Sequence, residues 1–504
     1  MRKINKILVA NRGEIAIRIM RTCREMNIAT VAVFSDADRT SMHVRYADEA
    51  YYVGPAPSKD SYLKADKIIE VALQSKADAI HPGYGFLSEN AGFAKLCKDN
   101  GIIFIGPSPE VIEKMGDKIQ ARKAMIAAGV PVVPGTTEAI QSEEEAIETI
   151  RSIGLPVMIK ASAGGGGKGM RLVEKEENII SGVRAARSEA LAAFGDDAVY
   201  IEKYVTSPHH IEFQILGDQH GDAVHLFERE CSIQRRHQKM VEETPSVLMT
   251  EELRFQMGKH AVDAAKAVNY VGAGTIEFLV DNDLNYYFLE MNTRLQVEHP
   301  ITERVTGIDL VKKQIDVAEG QHLNLIQSEL EQKGHAIECR IYAEDSDNNF
   351  MPSPGKIHTI TQPLGLGVRT DGYVYEGYEI PIHYDPMISK LIVWAQTREE
   401  AIQRMRRALY EYKITGIRTS LKFLERIMDT PDFVSGNYDT NFIEKNRSTL
   451  MATDDCEQEC QDMVIISTYF DFINRKNKVI PSKELNPAKN RWKKYTYQKN
   501  FDRL

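Results

Sequence analysis

The stretch Gly274–Pro300, "GTIEFLVDNDLNYYFLEMNTRLQVEHP", limits the fold more than any other part of the chain. "TIEFLV" and "NYYFLEMN" read as strands, and "DNDL" reads as the turn between them. A hairpin closed at that turn sets Glu277 opposite Glu290. Alternation groups Glu277 with Thr275 and Leu279, and Glu290 with Phe288 and Asn292, on one shared face. Opposed like charges destabilise a sheet, and carboxylates among apolar neighbours cost more still unless a cation joins them. Mg²⁺, or Mn²⁺ in its place, takes carboxylate and phosphate oxygens together, and Asn292 offers one more oxygen. The alternative is a solvated face, which the apolar strands disfavour. Arg294, Gln296 and Glu298 follow at alternating positions, so an extended chain points all three one way. An Arg fork, a neutral donor and a carboxylate base suit a planar oxyanion that must lose a proton, such as bicarbonate or a carboxylate.

Before this hairpin, short β-rich runs alternate with helical patterns. "KILVA", "TVAVFS", "ADAIHPGYG" and "IIFIGPS" read as strands, and "EIAIRIMRTCREM" as a helix, which implies a parallel, doubly wound α/β domain. The turn after the first strand, Asn11 to Ala16, lacks the glycine fingerprint of dinucleotide folds, which argues against a nicotinamide site. A second small block follows. "LPVMIKAS" is a strand, "MRLVEK" another, Glu174–Ala193 is a charged helical stretch, and "AVYIEKYV" is a third strand. Between its first two strands lies "AGGGGKG". This run fails the phosphate-loop pattern that needs Ser or Thr after the Lys. Taken alone it reads equally as a hairpin loop or as a loop of backbone donors closing on an anion.

With 504 residues the chain has room for about three domains, and its net charge of −9 argues against a nucleic-acid partner. No run is apolar enough to span a bilayer, and the N-terminus does not read as a signal peptide. Six scattered cysteines imply free thiols in a reducing, cytoplasmic setting; the Cys456/Cys460 pair has no companion ligands nearby. Charged residues in apolar surroundings recur: Lys118, Lys160, the alternating His210, Glu212 and Gln214, the "QRRHQK" cluster with Arg235, Arg236, His237 and Lys239, and Arg340. In an acidic chain they suggest a basic cleft for anions. The tail after Lys445 turns acidic, then apolar and aromatic, then basic, as a frayed end or a docking segment would.

These residues carry a resemblance. "ANRGEIAIRI", "HPGYGFLSEN", "MGDK", "IKASAGGGGKGM", "EKYV", "CSIQRRHQK", "GAGTIEF", "EMNTRLQVEHPITE", "GHAIECRIYAED" and "PSPGKI" are similar to the biotin carboxylases of the ATP-grasp class, over about residues 3–445. The resemblance implies an α/β fold, α+β in its C-terminal part: a doubly wound N-terminal domain (1–115), a linker helix region (116–131), a mobile lid (132–204), a catalytic domain (205–330) and a C-terminal domain (331–446), the last two forming a large mixed-sheet part. Residues 447–504 would be an extension for partner docking. It implies a ligase that phosphorylates bicarbonate with ATP to give carboxyphosphate, then carboxylates the ureido nitrogen of biotin. Carried over by motif, Lys118, Lys160, Gly165, Gly166, Glu202, Lys203, Val205, His210, Glu212 and His237 bind ATP. Glu277, Glu290 and Asn292 hold the metal. Lys239, Arg294, Gln296 and the backbone of Val297 hold bicarbonate, and Glu298 is the base. Arg340 stabilises the biotin enolate, and Tyr84 lies against the biotin ring. Lys168 is an optional phosphate contact.

The resemblance also implies a homodimer, through Arg18, Arg21 and Glu25 on the first helix, although Leu366 stands where relatives carry an aromatic. Ala163 replaces a lid glycine, and Thr244 replaces an alanine to which no role attaches. No Met-Lys-Met biotinylation tripeptide occurs, and there is no room for a carboxyltransferase. Biotin is therefore expected on a separate carrier protein, beside a separate carboxyltransferase, with neither nucleic acid nor membrane as partner. The acceptor is then the transferase's choice: acetyl-CoA, as in fatty acid biosynthesis, propionyl-CoA or pyruvate. Another ATP-grasp ligase, activating a different carboxylate or forming carbamoyl phosphate, shares the lid and the facing acids but would not be stimulated by free biotin; a regulatory nucleotide-binding module without turnover would tolerate Glu298→Gln and Arg340→Ala.

Overall fold

The computed structural model describes residues 3–162, 169–451 and 457–477. Gly165, Gly166, Lys168 and the side chains of Cys456 and Cys460 lie outside the described residues. The chain divides into two compact units, Met1–Met451 and Ala452–Leu504.

The first unit begins with strands β1 (Lys6–Val9), β2 (Ala29–Ser35), β3 (Glu49–Gly54), β4 (Ala79–His81) and β5 (Ile103–Phe104), with helix α1 (Gly13–Glu25) after β1. The five strands are parallel in the order β3-β2-β1-β4-β5. The edge strand β3 has no counterpart in the sequence reading. Its residues are mostly half-buried or exposed, so "EAYYVG" carries little of the apolar signal that marks β1 and β2. Helix α1 buries Ile15, Ile19, Met20 and Cys23 against Ile7 and Val9, a helical stripe meeting one sheet face. The strand order reverses between β1 and β4, which opens a crevice at their C-terminal ends.

Strands β6 (Val157–Ala161), β7 (Met170–Val173) and β8 (Val199–Lys203) form an antiparallel sheet in the order β7-β6-β8. Ala146 and Ile150 of helix Glu143–Ile153, and Val183 and Ala186 of helix Ile179–Phe194, pack on its Val157, Ile159, Val199 and Ile201. The connection into this sheet runs so close to β8 that a Cβ on Gly135 would meet the Ile201 carbonyl at 2.4 Å.

Eight strands make the main sheet: β9 (His209–Gly217), β10 (Ala223–Arg235), β11 (Gln238–Thr244), β12 (Gly272–Val280), β13 (Tyr286–Asn292), β14 (His335–Tyr342), and the strands Met387–Ala395 and Val368–Gly372. Their order is β13-β12-β9-β10-β11-β14, then 387–395 and 368–372. The expected mixed sheet is antiparallel throughout, and the β11–β14 pairing carries it without a break across residue 330. Helix Glu251–Ala267 covers Phe213, Ile276 and Phe278 at one end. Helices Arg398–Glu411 and Leu421–Asp429 cover Ile337, Cys339 and Leu391 at the other.

Cys23, Cys97, Cys231 and Cys339 are buried free thiols, as the sequence suggests. Among the described residues no helix is long and apolar enough to cross a membrane. In the second unit, helix Glu457–Asn477 exposes Met463, Val464, Ile465, Ile466, Tyr469, Phe470 and Phe472.

Candidate active site

A cavity of about 1050 Å³ opens where the β1–β4 crevice, the three-stranded sheet and the β12–β13 hairpin meet. The hairpin pairs as its sequence predicts, with Glu277 directly opposite Glu290. Immediately afterwards the register slips: Phe278 pairs with Phe288, and Leu289 is the extra residue of a β-bulge. This corrects the expected grouping of Phe288 with Glu290. Phe288 is packed with Ile276, Phe278 and Met291 in the core, while Leu289, Glu290 and Asn292 face the cavity. Strict alternation would have put a phenylalanine into a charged cavity, and one added residue avoids it.

Lys239 sits at the centre. Its ammonium donates to Glu212 Oε2 at 2.6 Å, Glu298 Oε1 at 2.7 Å and Glu277 Oε1 at 3.0 Å, which uses all three of its N–H bonds. Burial works to lower its pKa, but the surrounding acids outweigh burial and raise it well above the ordinary lysine range. Glu298 is fully buried, and its other oxygen accepts from Arg340 Nη2 at 3.0 Å. Burial alone would raise the Glu298 pKa; Lys239, Arg340 and Arg229 together hold it well below the usual carboxylate range.

Arg294 shares its fork among Glu89 Oε2 (2.8 Å), Gln296 Oε1 (2.7 Å) and Asn292 Oδ1 (2.9 Å). Gln296 Nε2 donates onward to Glu277 Oε1 at 3.2 Å. The predicted trio Arg294, Gln296 and Glu298 therefore converges, though not along one extended strand, because the chain turns at Val297–Glu298 into helix His299–Thr306. The Val297 carbonyl accepts from Lys390 Nζ at 2.7 Å.

Toward the three-stranded sheet, Lys160 donates to Glu202 Oε2 at 2.6 Å, and Arg122 to Glu202 Oε1 at 2.9 Å. Lys118 starts helix Lys118–Ala127; burial lowers its pKa, against the opposing pull of Glu290. Lys203 and Val205 line the cavity, but the Lys203 ammonium donates to the carbonyls of Gly154 and Leu155, at 2.9 Å each. His210 Nε2 lies 3.0 Å from Glu277 Oε2, and its Nδ1 faces Gln234 Nε2 at 2.9 Å. His237 lines the cavity from the β10–β11 turn, where Arg236 and His237 both hold left-handed backbone, φ 50° and 66°. Such a pair is what a two-residue hairpin turn requires, here without glycine.

Glu212 departs from its expected place. It is fully buried and does not line the cavity. Arg229 Nε donates to its Oε1 at 2.6 Å and Lys239 to its Oε2 at 2.6 Å, so it lies beneath Lys239 as a counter-ion. Arg229 was not singled out from the sequence. It is fully buried and also reaches Gln214 Oε1 at 2.7 Å and Thr302 Oγ1 at 2.9 Å. The signal was present in "HLFERECSI", an arginine inside a strand, opposite Glu212 in register. Tyr84 lines the cavity, and its hydroxyl donates to Glu14. Arg18, expected at a dimer contact, is buried and tied within the chain to Glu303 at 2.6 Å and Asp309 at 2.9 Å.

The donor set fits a divalent cation. Burial and the facing Glu277 raise the pKa of Glu290, which has no hydrogen bond or ion pair among the described residues. Beside them Asn292 Oδ1, which accepts from Arg294 Nη2 at 2.9 Å, offers one more oxygen. Two cross-strand carboxylates, one unpartnered, are the oxygen-rich arrangement that a hard cation relieves.

Comparison with known proteins agrees with this arrangement. Residues 3–112 match the family "Biotin carboxylase, N-terminal domain", 117–326 match "Carbamoyl-phosphate synthase L chain, ATP binding domain", and 338–445 match "Biotin carboxylase C-terminal domain". Biotin carboxylase 1 of Bacillus subtilis is 55% identical over 442 residues, covering 88% of this chain and 98% of that protein. The biotin carboxylase of a Nostoc species is 55% identical over 443 residues, covering 88% of this chain and 99% of that one. The solved biotin carboxylase domain dimer of Hydrogenobacter thermophilus 2-oxoglutarate carboxylase, in complex with MgADP, ADP and bicarbonate, superposes with a TM-score of 0.86 at 48% identity, covering 90% of this chain and all of that one. With three family matches in sequence order, this chain belongs to the biotin carboxylase family and has its ATP-grasp architecture.

Proposed function

We propose that this protein carboxylates biotin on a separate carrier protein, using ATP and bicarbonate through carboxyphosphate. One observation carries the reading: Lys239 joins Glu298, the base held by Arg340, to Glu277, half of the cation-binding pair. Anion, base and phosphoryl positions are thereby adjacent. Lys118, Lys160 and His237 face the phosphates. Met158, Met170, Leu279 and Leu289 offer an apolar wall to the adenine, beside the main chain of Glu202–Val205. Glu277, Glu290 and Asn292 would hold Mg²⁺, which when bound draws charge from the phosphate oxygens.

Bicarbonate binds to Lys239, Arg294, Gln296 and the Val297 backbone. Its arrival draws Lys239 from Glu298, which raises the basicity of that carboxylate and lets it take the bicarbonate proton. The bicarbonate oxygen then attacks the γ-phosphorus as the bond to ADP breaks, and positioning and charge neutralisation supply most of the acceleration. Arg340 stabilises the enolate oxygen of biotin, against Tyr84. Closure of the 132–204 segment keeps water from carboxyphosphate. On this reading the working parts are 1–115, 132–204, 205–330 and 331–446, joined by 116–131; family matches over 3–112, 117–326 and 338–445 support the divisions near 115 and 331.

The dimeric relative supports a homodimer. The apolar surface of helix Glu457–Asn477 supports a partner-docking role for 447–504. A carrier and a carboxyltransferase complete the reaction, which takes place in the cytoplasm. The test is ATP hydrolysis: it must depend on bicarbonate and rise with free biotin. Stimulation by an amino acid instead would indicate a different ligase.

A further inference from the structure

Behind Arg340 lies a second pair of acids that the reaction above does not use. Glu242 and Glu338 are direct partners across β11 and β14, and both are fully buried. Their four oxygens meet a single donor group. Arg340 Nε donates to Glu242 Oε1 at 2.6 Å, and Arg340 Nη2 lies 2.5 Å from the same oxygen. The other three oxygens have no hydrogen-bond partner among the described residues.

Among the described residues no other cation bonds to them. On the adjacent strand 387–395, Lys390 donates to the Val297 carbonyl at 2.7 Å and faces Glu14 at 3.2 Å. Lys239, on β11 itself, is committed to Glu212, Glu277 and Glu298. From β10, Arg229 is committed to Glu212, Gln214 and Thr302. The remaining titratable neighbours are Cys231 on β10 and Cys339 and Tyr342 on β14, and burial keeps all three protonated. Before helix His299–Thr306, Glu298 adds only negative charge. Two facing carboxylates in a closed interior repel each other, and three bare oxygens forfeit their hydration. One proton held between them removes a charge and creates a hydrogen bond.

We propose that Glu242 and Glu338 are an acid pair sharing one proton, and that Glu242 is a positioning residue that holds Arg340 while the pair keeps one negative charge. The proposal rests on the reading that Arg340 and Glu298 serve carboxyl transfer. Burial, only partly offset by Arg340, raises Glu242 to about 7, and burial raises Glu338 well above the carboxylate range. Protonating the pair a second time releases Arg340 from Glu242 and leaves it to Glu298 alone. The base is then held lower and the guanidinium is no longer fixed from both sides. Activity falls as the pH drops through neutrality.

The experiment is the pH profile of bicarbonate-dependent ATP cleavage and biotin carboxylation, using the full chain with MgATP and free biotin. Wild-type protein is expected to show an acid limb near neutrality. Glu338→Gln replaces the shared proton with a weaker amide donor to Glu242 and moves that limb to higher pH by about one unit, the scale of coupling between interacting sites. Glu242→Gln abolishes the limb and lowers kcat on the order of 100-fold by misplacing Arg340, with the KM for MgATP unchanged. In infrared spectra at neutral pH, Glu338→Gln loses a protonated-carboxyl C=O band present in the wild type. If one variant does not fold, the other carries the test, because each removes one member of the pair.

An unmoved limb together with an intact band overturns the proposal, as does a loss of thermal stability with an unchanged profile. If Arg340→Ala is inactive while the glutamine variants behave as wild type, only the pair is overturned. If wild-type protein shows no bicarbonate-dependent ATP cleavage, the functional reading fails and the pair's role fails with it.

Discussion

At the scale of single residues, Arg12 and Asp38 show how a buried charge is held by several partners. Arg12, at the cavity mouth, grips Asp38 with Nε to Oδ2 at 2.6 Å and Nη2 to Oδ1 at 2.7 Å. Tyr62 and Ser41 add hydroxyl bonds to Asp38 at 2.6 Å each. Burial would raise the Asp38 pKa, but Arg12 outweighs burial and holds it well below the carboxylate range. Asp38→Asn leaves an uncompensated guanidinium and should cost about 3–5 kcal/mol in urea unfolding. The sign in pH follows from the lowered pKa. The stabilisation is full above the unfolded value, near 4, and is lost as the pH falls below it, so the gap between wild type and variant should narrow in acid. Composition did not reveal this pair, because Arg12 and Asp38 lie in separate loops that only the fold brings together. Arg340 was legible as a charge inside an apolar run, Lys239 from the "QRRHQK" cluster, and Glu298 from its alternation with Arg294 and Gln296. Glu212 was legible as a buried charge but not as a counter-ion, since its role depends on Arg229 on the neighbouring strand.

At the scale of elements, the β12–β13 hairpin shows what alternation can and cannot reveal. Turn chemistry and β-rich flanks were enough to place Glu277 against Glu290. The bulge at Leu289 was not legible, because "YYFLEMN" has no glycine or other mark to distinguish an extra residue from a regular strand. Deleting Leu289 should restore strict pairing with Phe288 still opposite Phe278 in the core and should remove one apolar side chain from the cavity wall, weakening MgATP binding with little change in the thermal midpoint. Glu290→Gln keeps the shape and removes one carboxylate charge. It should raise the Mg²⁺ concentration needed for half-maximal ATP cleavage, and an unchanged requirement would take Glu290 out of the metal set.

At the scale of the whole molecule, the doubly wound first sheet and the three-stranded sheet were readable from strand and helix periodicity. The edge strand β3 was not, because a half-exposed strand loses the apolar pattern. The unbroken main sheet was not readable either, because β11 and β14 pair across about ninety residues and no local signal reports such a partner. A separate carrier is a whole-molecule expectation: incubated with ATP, bicarbonate and a biotinylated carrier, the protein should transfer carboxyl to the carrier and hold no biotin-modified lysine by mass spectrometry. Lys239 also bears on the rhythm of turnover. Its three N–H bonds are already taken by internal carboxylates, so an arriving anion must win them by exchange. In the proposed bicarbonate site, entry is therefore coupled to the opening of an ion pair, and the same carboxylates take the ammonium back as the anion leaves. The site carries its own competitor, trading tight capture for ready release.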